Sequence, residues 1–180
     1  MVRKTAFTGL LVALALLATG PGVLAQEVAN GPSTATVLTM ITATASQNLN
    51  FGQIYGGTPK TMGYNQDDSS AIFTVTGQPS AGINLELFLP EYLSLANGSA
   101  RMPVIFSTTD AAIDTTTVTP STVGAGNGWI NRNPHSLPAA VIGSGGTTKL
   151  YLGGKVVPSV DQKAGSYSGD IVLSVSYTGS

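Results

Sequence analysis

The sequence offers few residues that could act together as a nucleophile and a base. It has one histidine, His135, and no cysteine, so a serine or threonine nucleophile would depend on His135 and on an acid brought in from elsewhere. GSYSG at 165–169 resembles a nucleophile elbow, but its central residue is tyrosine and no strand-to-helix turn is indicated. An enzyme would therefore need a second catalytic group near His135. The sequence predicts no catalytic residues and a protein that is not an enzyme.

Three other short motifs carry weak signals for ligands. The glycine-rich stretch GAGNGW at 124–129 lacks the spacing and the flanking elements of a dinucleotide-binding loop. The turn at 65–68 offers carboxylate and amide oxygens of the kind calcium prefers, but it does not follow the spacing of an EF-hand. Residues 97–99 match the acceptor pattern for N-glycosylation and indicate an exposed turn. The prediction is no cofactor and no metal site.

Aromatic residues leave one binding function open. An aromatic ring can stack on the face of a sugar, and a cluster of exposed rings would favour a carbohydrate-binding module. Each ring is more commonly buried in the core or on a sheet face than exposed for sugar binding. The candidates for such a platform are Trp129, Tyr55, Tyr64, Tyr92 and Tyr151.

Composition narrows the class of protein. Charged residues make up 9% of the chain, against roughly 25% in typical soluble domains, and serine, threonine, glycine and asparagine take their place. The formal net charge of −1 becomes −3 if Arg3 and Lys4 are removed with a leader, which argues against a nucleic acid partner. Without cysteine, stability outside the cell would come from packing and strand pairing. These features indicate an extracellular surface.

The start of the chain predicts secretion. Met1 to Lys4 carries positive charge, an uncharged apolar run follows, and Val23-Leu24-Ala25 supplies small residues before a cleavage site at Gln26. The apolar run is shorter than the ~20 residues that span a bilayer. We therefore expect a signal peptide at 1–25, a leader with a candidate donor strand at 26–47, and one domain at 48–180. No membrane span is expected after signal removal.

Short apolar runs separated by Gly, Pro, Asn and Asp favour an all-β sandwich. The alternation is clear in INLELFLP, where the leucines share one face and Asn84 and Glu86 lie opposite. The stretch 108–146 is poorer in strand signals, and we expect a long connection there with at most one short strand near 116–119. The runs that predict strands are 34–44, 49–55, 71–77, 83–90, 101–107, 148–158 and 170–178.

Both ends of the mature chain carry unusual strand patterns. The segment 34–44 is β-prone, uncharged and apolar on both faces, which is an aggregation hazard unless both of its edges are paired. The last run has one strongly apolar face and one mostly hydroxylated face. Residues of the candidate donor strand are Val37, Leu38, Met40, Ile41 and Ala43, and residues of the apolar face of the terminal strand are Ile171, Leu173, Val175 and Tyr177.

Three stretches together resemble a family of fimbrial-like secreted bacterial proteins of unassigned activity. They are ITATASQNLNFGQIYGG, FTVTGQPSAGINLELF and YLGGKVVPSVDQKAGSYSGDIVLSVSYT, and they span most of 36–178 except 108–146. The family is similar to the pilins of chaperone–usher fimbriae. This chain departs from many of those pilins in lacking a cysteine pair and in having Tyr177 fourth from its last residue. The matching residues are Leu49, Phe51, Gly52, Gly165, Tyr167, Gly169 and Tyr177.

The resemblance implies an immunoglobulin-like sandwich that lacks one strand beside its terminal strand. It implies a structural subunit of an extracellular filament, in which the N-terminal donor strand of one subunit completes the next by strand addition. The implied partners are identical subunits, a periplasmic chaperone and an outer-membrane usher. Three alternatives stay open. One is a self-complemented monomeric adhesin or sugar-binding module, another is a coat or matrix protein that assembles laterally, and the third is an enzyme with a second catalytic group near His135.

Overall fold

The protein is an all-β sandwich of antiparallel strands, which confirms the predicted fold class. The computed structural model describes residues 31–116, 118–124 and 128–179, so the predicted signal peptide lies outside the described residues. The strands are β1 (Thr42–Gln47), β2 (Lys60–Met62), β3 (Ala71–Thr76), β4 (Gly82–Phe88), β5 (Tyr92–Leu95), β6 (Arg101–Ile105), β7 (Ala111–Asp114), β8 (Trp129–Arg132), β9 (Ala140–Val141), β10 (Thr147–Leu152), β11 (Gly154–Val156), β12 (Tyr167–Ser168) and β13 (Val172–Tyr177).

The strands form three hydrogen-bonded groups. The first has the order β1-β3-β10-β7-β8, the second β12-β5-β6-β11-β2, and the third β13-β4-β9. The chain divides at Thr36 into two units, and the described residues of the first unit, 31–36, are all exposed. In the part of the chain that the structure describes, no helix is long and apolar enough to cross a membrane.

Alternating side chains build the core. In β4, Ile83, Leu85 and Leu87 are buried and the residues between them are exposed, as the sequence pattern predicts. In β3, Phe73 and Val75 join the same core from a second sheet. Because successive side chains of a strand point to opposite faces, each of these strands contributes one apolar row to the space between the sheets.

Two predicted strands differ from the observed ones at the N-terminal side. The run 34–44 forms a strand only from Thr42, and β1 then continues to Gln47. The run 49–55 forms no strand, because Asn50 accepts a hydrogen bond from the Gly52 N–H through its side-chain oxygen (2.8 Å) and Gly52 has φ +63. A side-chain turn followed by a left-handed residue ends the extended chain.

The expectation of a long connection at 108–146 is wrong. β7 lies in this stretch with all four of its residues buried, and it pairs with both β10 and β8. The predicted strand near 116–119 is not formed by the described residues of that range, and a short 3₁₀ turn at Pro120–Thr122 follows. The sequence AAID gives little hydrophobic signal because alanines pack centrally through their small size rather than through strong apolar character.

Candidate functional site

Two edge strands from different groups face each other across a groove. β1 ends the first group and pairs with β3, whereas β13 ends the third group and pairs with β4. Residue Thr39, just before β1, meets Tyr177 at the end of β13, while Gln47 at the end of β1 shares a cavity with Ile171 before β13. The two strands therefore run in opposite directions. Each presents a backbone edge that its own sheet does not use.

The Tyr177 hydroxyl closes one end of this groove. It donates a hydrogen bond to the Thr39 carbonyl oxygen (2.6 Å) and accepts one from the Gln78 backbone N–H (2.7 Å). The Thr39 hydroxyl also donates to the Gln78 side-chain oxygen (3.0 Å). A β-carbon on Gly77 would lie 2.5 Å from the Tyr177 oxygen, so the glycine leaves room for the ring. One hydroxyl thus joins the entry to β1, the turn after β3 and the terminal strand.

A cavity of about 980 Å³ opens at the other end of the groove. Its walls are the end of β1, the segment 48–56 and the segment 162–171 that leads into β13. This volume lies at the upper end of the roughly 300–1,000 Å³ typical of ligand pockets. Side chains of the main core reach its floor, so an apolar ligand group entering here would leave water. The core residues among those lining the cavity are Phe51, Ala71, Phe73, Met102, Val104 and Phe106.

The terminal strand presents its apolar face to the core beside the groove. Leu173, Val175 and Tyr177 are half-buried on β13, and Ile171 just before the strand is half-buried as well. All four pack against the main core cluster, while Val172 on the opposite face is 54% exposed. Half-burial in a strand with one unpaired edge means that these side chains have apolar surface still available for burial.

The segment Leu49 to Gly52 anchors the wall of the cavity. The Asn50 N–H donates to the Ser69 carbonyl oxygen (2.8 Å), and its side chain caps Gly52. Phe51 is buried in the main core and Leu49 packs against that core. The Leu-Asn-Phe-Gly motif therefore has a physical role: it ends β1 with a turn and inserts an aromatic ring beneath the groove.

The segment AGSYSG, residues 164–169, forms the opposite wall. The Tyr167 hydroxyl donates to the Lys163 carbonyl oxygen (2.7 Å) and accepts from the Gln162 side-chain amide (2.7 Å). Gly165 has φ +147, and a β-carbon on Gly169 would come within 3.1 Å of the Tyr92 carbonyl oxygen. The two glycines permit a close fit against β5, and the tyrosine fixes the loop before it.

The structure separates the five candidate donor residues into two sets. Val37, Leu38 and Met40 are 94%, 43% and 78% exposed. Ile41 packs against the chain's own core, and Ala43 lies in β1 opposite Val75 of β3. Of the five candidate donor residues, the three before Ile41 therefore present side chains that their own domain leaves exposed.

The remaining sequence candidates have local structural roles. The Nε2 atom of His135 lies 3.0 Å from the Phe106 carbonyl oxygen, and this contact ties the loop of His135 to the residue after β6. In the acidic turn, the Asp67 carboxylate accepts from the Ser121 N–H (2.7 Å). Across residues 31–116, 118–124 and 128–179, no group of three or more metal-binding side chains comes together. The glycine-rich stretch 124–129 falls partly outside the described residues.

The aromatic candidates do not form one platform. Tyr151 is completely buried, and Trp129 packs against the main core. The Tyr64 hydroxyl donates to the Asn131 side chain (3.1 Å). Tyr55 at the cavity wall is 76% exposed, and Tyr92 on β5 is 45% exposed.

Sequence reasoning missed a buried polar pair on the neighbouring strands β7 and β10. Asp114 is 1% exposed and accepts hydrogen bonds from the Thr116 backbone N–H and hydroxyl. The Tyr151 hydroxyl donates to the Val118 carbonyl oxygen. Burial raises the pKa of Tyr151 well above its ordinary value, and the nearby Asp114 charge raises it further. The pairing of β7 with β10 brings these residues together, and no sequence motif indicates it.

No protein-family model matches this chain, and no curated protein matches it significantly.

Proposed function

We propose that this protein is a structural subunit of an extracellular bacterial filament. In the proposed assembly, the leader of one copy inserts as a strand into the groove of the next copy. The observation that carries the proposal is the pair of oppositely directed edge strands, β1 and β13, with a cavity at the end of β1 and the start of β13 whose floor is formed by core side chains. A strand added there would pair with one of the two edges or with both.

Strand addition would supply both affinity and register. Main-chain hydrogen bonds would form with one edge or both, and alternate side chains would enter the groove. The groove side chains Leu173 and Val175 are half-buried and would lose their remaining contact with water. A head-to-tail contact of this kind joins two different surfaces and does not close on itself, so its product is a filament.

The leader has suitable chemistry for the donor. Val37 and Leu38 are exposed apolar residues, and burying one such side chain contributes roughly 1.5–3 kcal/mol. Two of them give a gross gain of roughly 3–6 kcal/mol, less the cost of ordering the backbone. Met40 is exposed as well, but it lies between Thr39 and Ile41, which contact their own domain, so the donor would comprise residues 26–38. At about 3.3 Å per residue, an extended donor segment would be more than twice as long as β13.

Secretion and family membership belong to the same proposal. The N-terminal sequence indicates export, and the Leu-Asn-Phe-Gly and terminal tyrosine motifs resemble those of chaperone–usher pilins. Both motifs contribute to the groove, the first through Phe51 and the second through Tyr177. A periplasmic chaperone and an outer-membrane usher would be the partners during assembly, and identical subunits the partners afterwards.

The runner-up is a self-complemented monomeric adhesin. It is favoured by one observation: Ile41 and Ala43 of the predicted donor strand already pack into their own domain. In that case the rest of the leader would fill its own groove, and Tyr55 at the cavity wall would be available to a sugar ring.

The test compares three proteins: the mature chain 26–180, a chain that begins at Ile41 and keeps β1, and a fusion of the shortened chain to residues 26–40 at its C-terminus. Size-exclusion light scattering, negative-stain electron microscopy and thermal unfolding are measured for each. We expect polymers from the mature chain, a less stable monomer from the shortened chain, and a stabilised monomer from the fusion.

A donor peptide provides the control. Residues 26–41 added to the shortened chain should bind one per chain and raise its melting temperature, and a peptide with Val37, Leu38 and Met40 changed to aspartate should not. A mature chain that remains monomeric at every concentration would refute the filament. A shortened chain that is less stable than this monomer would then support the self-complemented adhesin.

A further inference from the structure

We infer that the hydrogen bond from Tyr177 to Thr39 determines which leader fills the groove. It prevents the chain's own leader from entering, so the groove stays open to the leader of a second copy. The inference rests on the proposed function, since it concerns the same groove. It assigns Tyr177 a role in partner choice, beyond packing at the end of the terminal strand.

The direction of β1 determines how the leader could enter its own groove. Thr39 precedes β1 and lies at the closed end of the groove, next to Tyr177. From Thr42, β1 runs toward the open end near Ile171. To enter its own groove, the leader would have to reverse direction between residues 37 and 41 and lie antiparallel to β1.

The reversal would need a tight turn at the residues that Tyr177 holds. Its hydroxyl binds the Thr39 carbonyl oxygen, and the Thr39 side chain is tied to Gln78. A turn at this position must change the backbone angles of Thr39 and so break both hydrogen bonds. The leader of another copy enters without any turn and leaves them intact.

The position of Tyr177 is itself held firmly. Its ring packs against the main core, and Gly77 and Gln78 enclose its hydroxyl. The hydroxyl is therefore a fixed point to which the entry of β1 is attached. Loss of the hydroxyl alone, with the ring retained, should release Thr39 while preserving the core.

The experiment uses the mature chain with Tyr177→Phe, and Tyr64→Phe is the matched control because its hydroxyl bonds Asn131 away from the leader. Each protein is refolded over a hundredfold range of concentration, and light scattering gives the polymer and monomer fractions. The isolated monomer is then challenged with a fluorescent peptide of residues 26–41. Thr39→Val, which removes only the bond to Gln78, is a second variant that leaves the core untouched.

For Tyr177→Phe we expect a monomer fraction at least threefold larger than that of wild type, and we expect this monomer not to bind the peptide. Thr39→Val should increase the monomer fraction by less, and Tyr64→Phe should leave it unchanged. If wild type, Tyr177→Phe and Thr39→Val polymerise equally, Tyr177 does not select the partner, although the filament proposal stands. If wild type forms no polymer and its monomer binds no peptide, the proposed function itself fails. Circular dichroism confirms that each variant is folded.

Discussion

Gly165 lies so close to Leu95 that a β-carbon at residue 165 would overlap the Cδ1 methyl group of the leucine. The glycine also has φ +147, a backbone conformation that residues with a side chain rarely adopt. Both features arise where the loop before β12 turns onto β5, and they place Tyr167 at the wall of the groove. The second glycine of the AGSYSG motif packs similarly against β5.

Gly165→Ala should therefore lower the free energy of unfolding by about 2–4 kcal/mol, through backbone strain together with the overlap on Leu95. Gly145→Ala is the control, because a β-carbon there meets no atom within 4 Å, and its effect should stay below about 0.5 kcal/mol. Urea denaturation of both variants measures the difference. Equal stability of the two would mean that the motif glycine is not required by this close contact.

Phe51→Ala should destabilise the subunit by about 3–5 kcal/mol, because the ring is buried in the main core beneath the groove. Phe88→Ala removes the same atoms from a ring that is 54% exposed on the outer face of β4, and should cost under about 1 kcal/mol. Chemical denaturation compares the two variants with wild type. A loss for Phe51→Ala no larger than that for Phe88→Ala would contradict the role given to the Leu-Asn-Phe-Gly motif.

Much of the fold could be predicted because several strands show their burial in their alternation. In β4 the alternation predicts that Ile83, Leu85 and Leu87 face the core and that Asn84 and Glu86 face outward. The structure buries the first set and exposes the second. β7 could not be recognised in the same way. Its residues Ala111 to Asp114 are all buried, but two alanines and an aspartate give no apolar period.

Prediction of the site was limited by information that local sequence does not carry. The apolar face of β13 was evident, but its contact with Thr39 depends on which strands end the two sheets. Local sequence also could not separate the five candidate donor residues into those that pack in their own domain and those that do not. Ile41 and Ala43 match the preceding residues in character, and only their packing against the core and β3 distinguishes them from Val37 and Met40.

Tyr151 provides a prediction at alkaline pH. Burial, with a smaller effect of the Asp114 charge, raises its pKa above the ordinary value of 10.0. The folded state thus keeps the phenol proton where the unfolded state loses it, so this group's contribution to stability is full below about pH 10 and falls as the pH rises further. Tyr151→Phe should be less stable than wild type by about 1–3 kcal/mol near pH 8, because the Val118 carbonyl oxygen loses its donor.

The stability deficit of Tyr151→Phe should shrink as the pH rises to about 11, because phenylalanine has no proton to release. The decrease should be about 1.4 kcal/mol for each pH unit above the pKa of tyrosine in the unfolded chain. Guanidinium denaturation at several pH values measures both proteins. A deficit that stays constant from about pH 8 to about pH 11 would show that the Tyr151 hydroxyl ionises equally in the folded and unfolded states.

The leader provides the sharpest test of the filament. Val37 and Val160 are both nearly fully exposed, at 94% and 89%, so aspartate at either position should change the stability of the folded domain by less than about 0.5 kcal/mol. Only Val37 belongs to the proposed donor segment. In the filament its side chain would enter the groove, where an unpaired carboxylate would lose its water.

Val37→Asp should therefore abolish or strongly reduce polymer formation by the mature chain, and Val160→Asp should leave it unchanged. Light scattering and electron microscopy of the two variants at matched concentration measure this, and equal polymer yields would exclude Val37 from the junction between subunits.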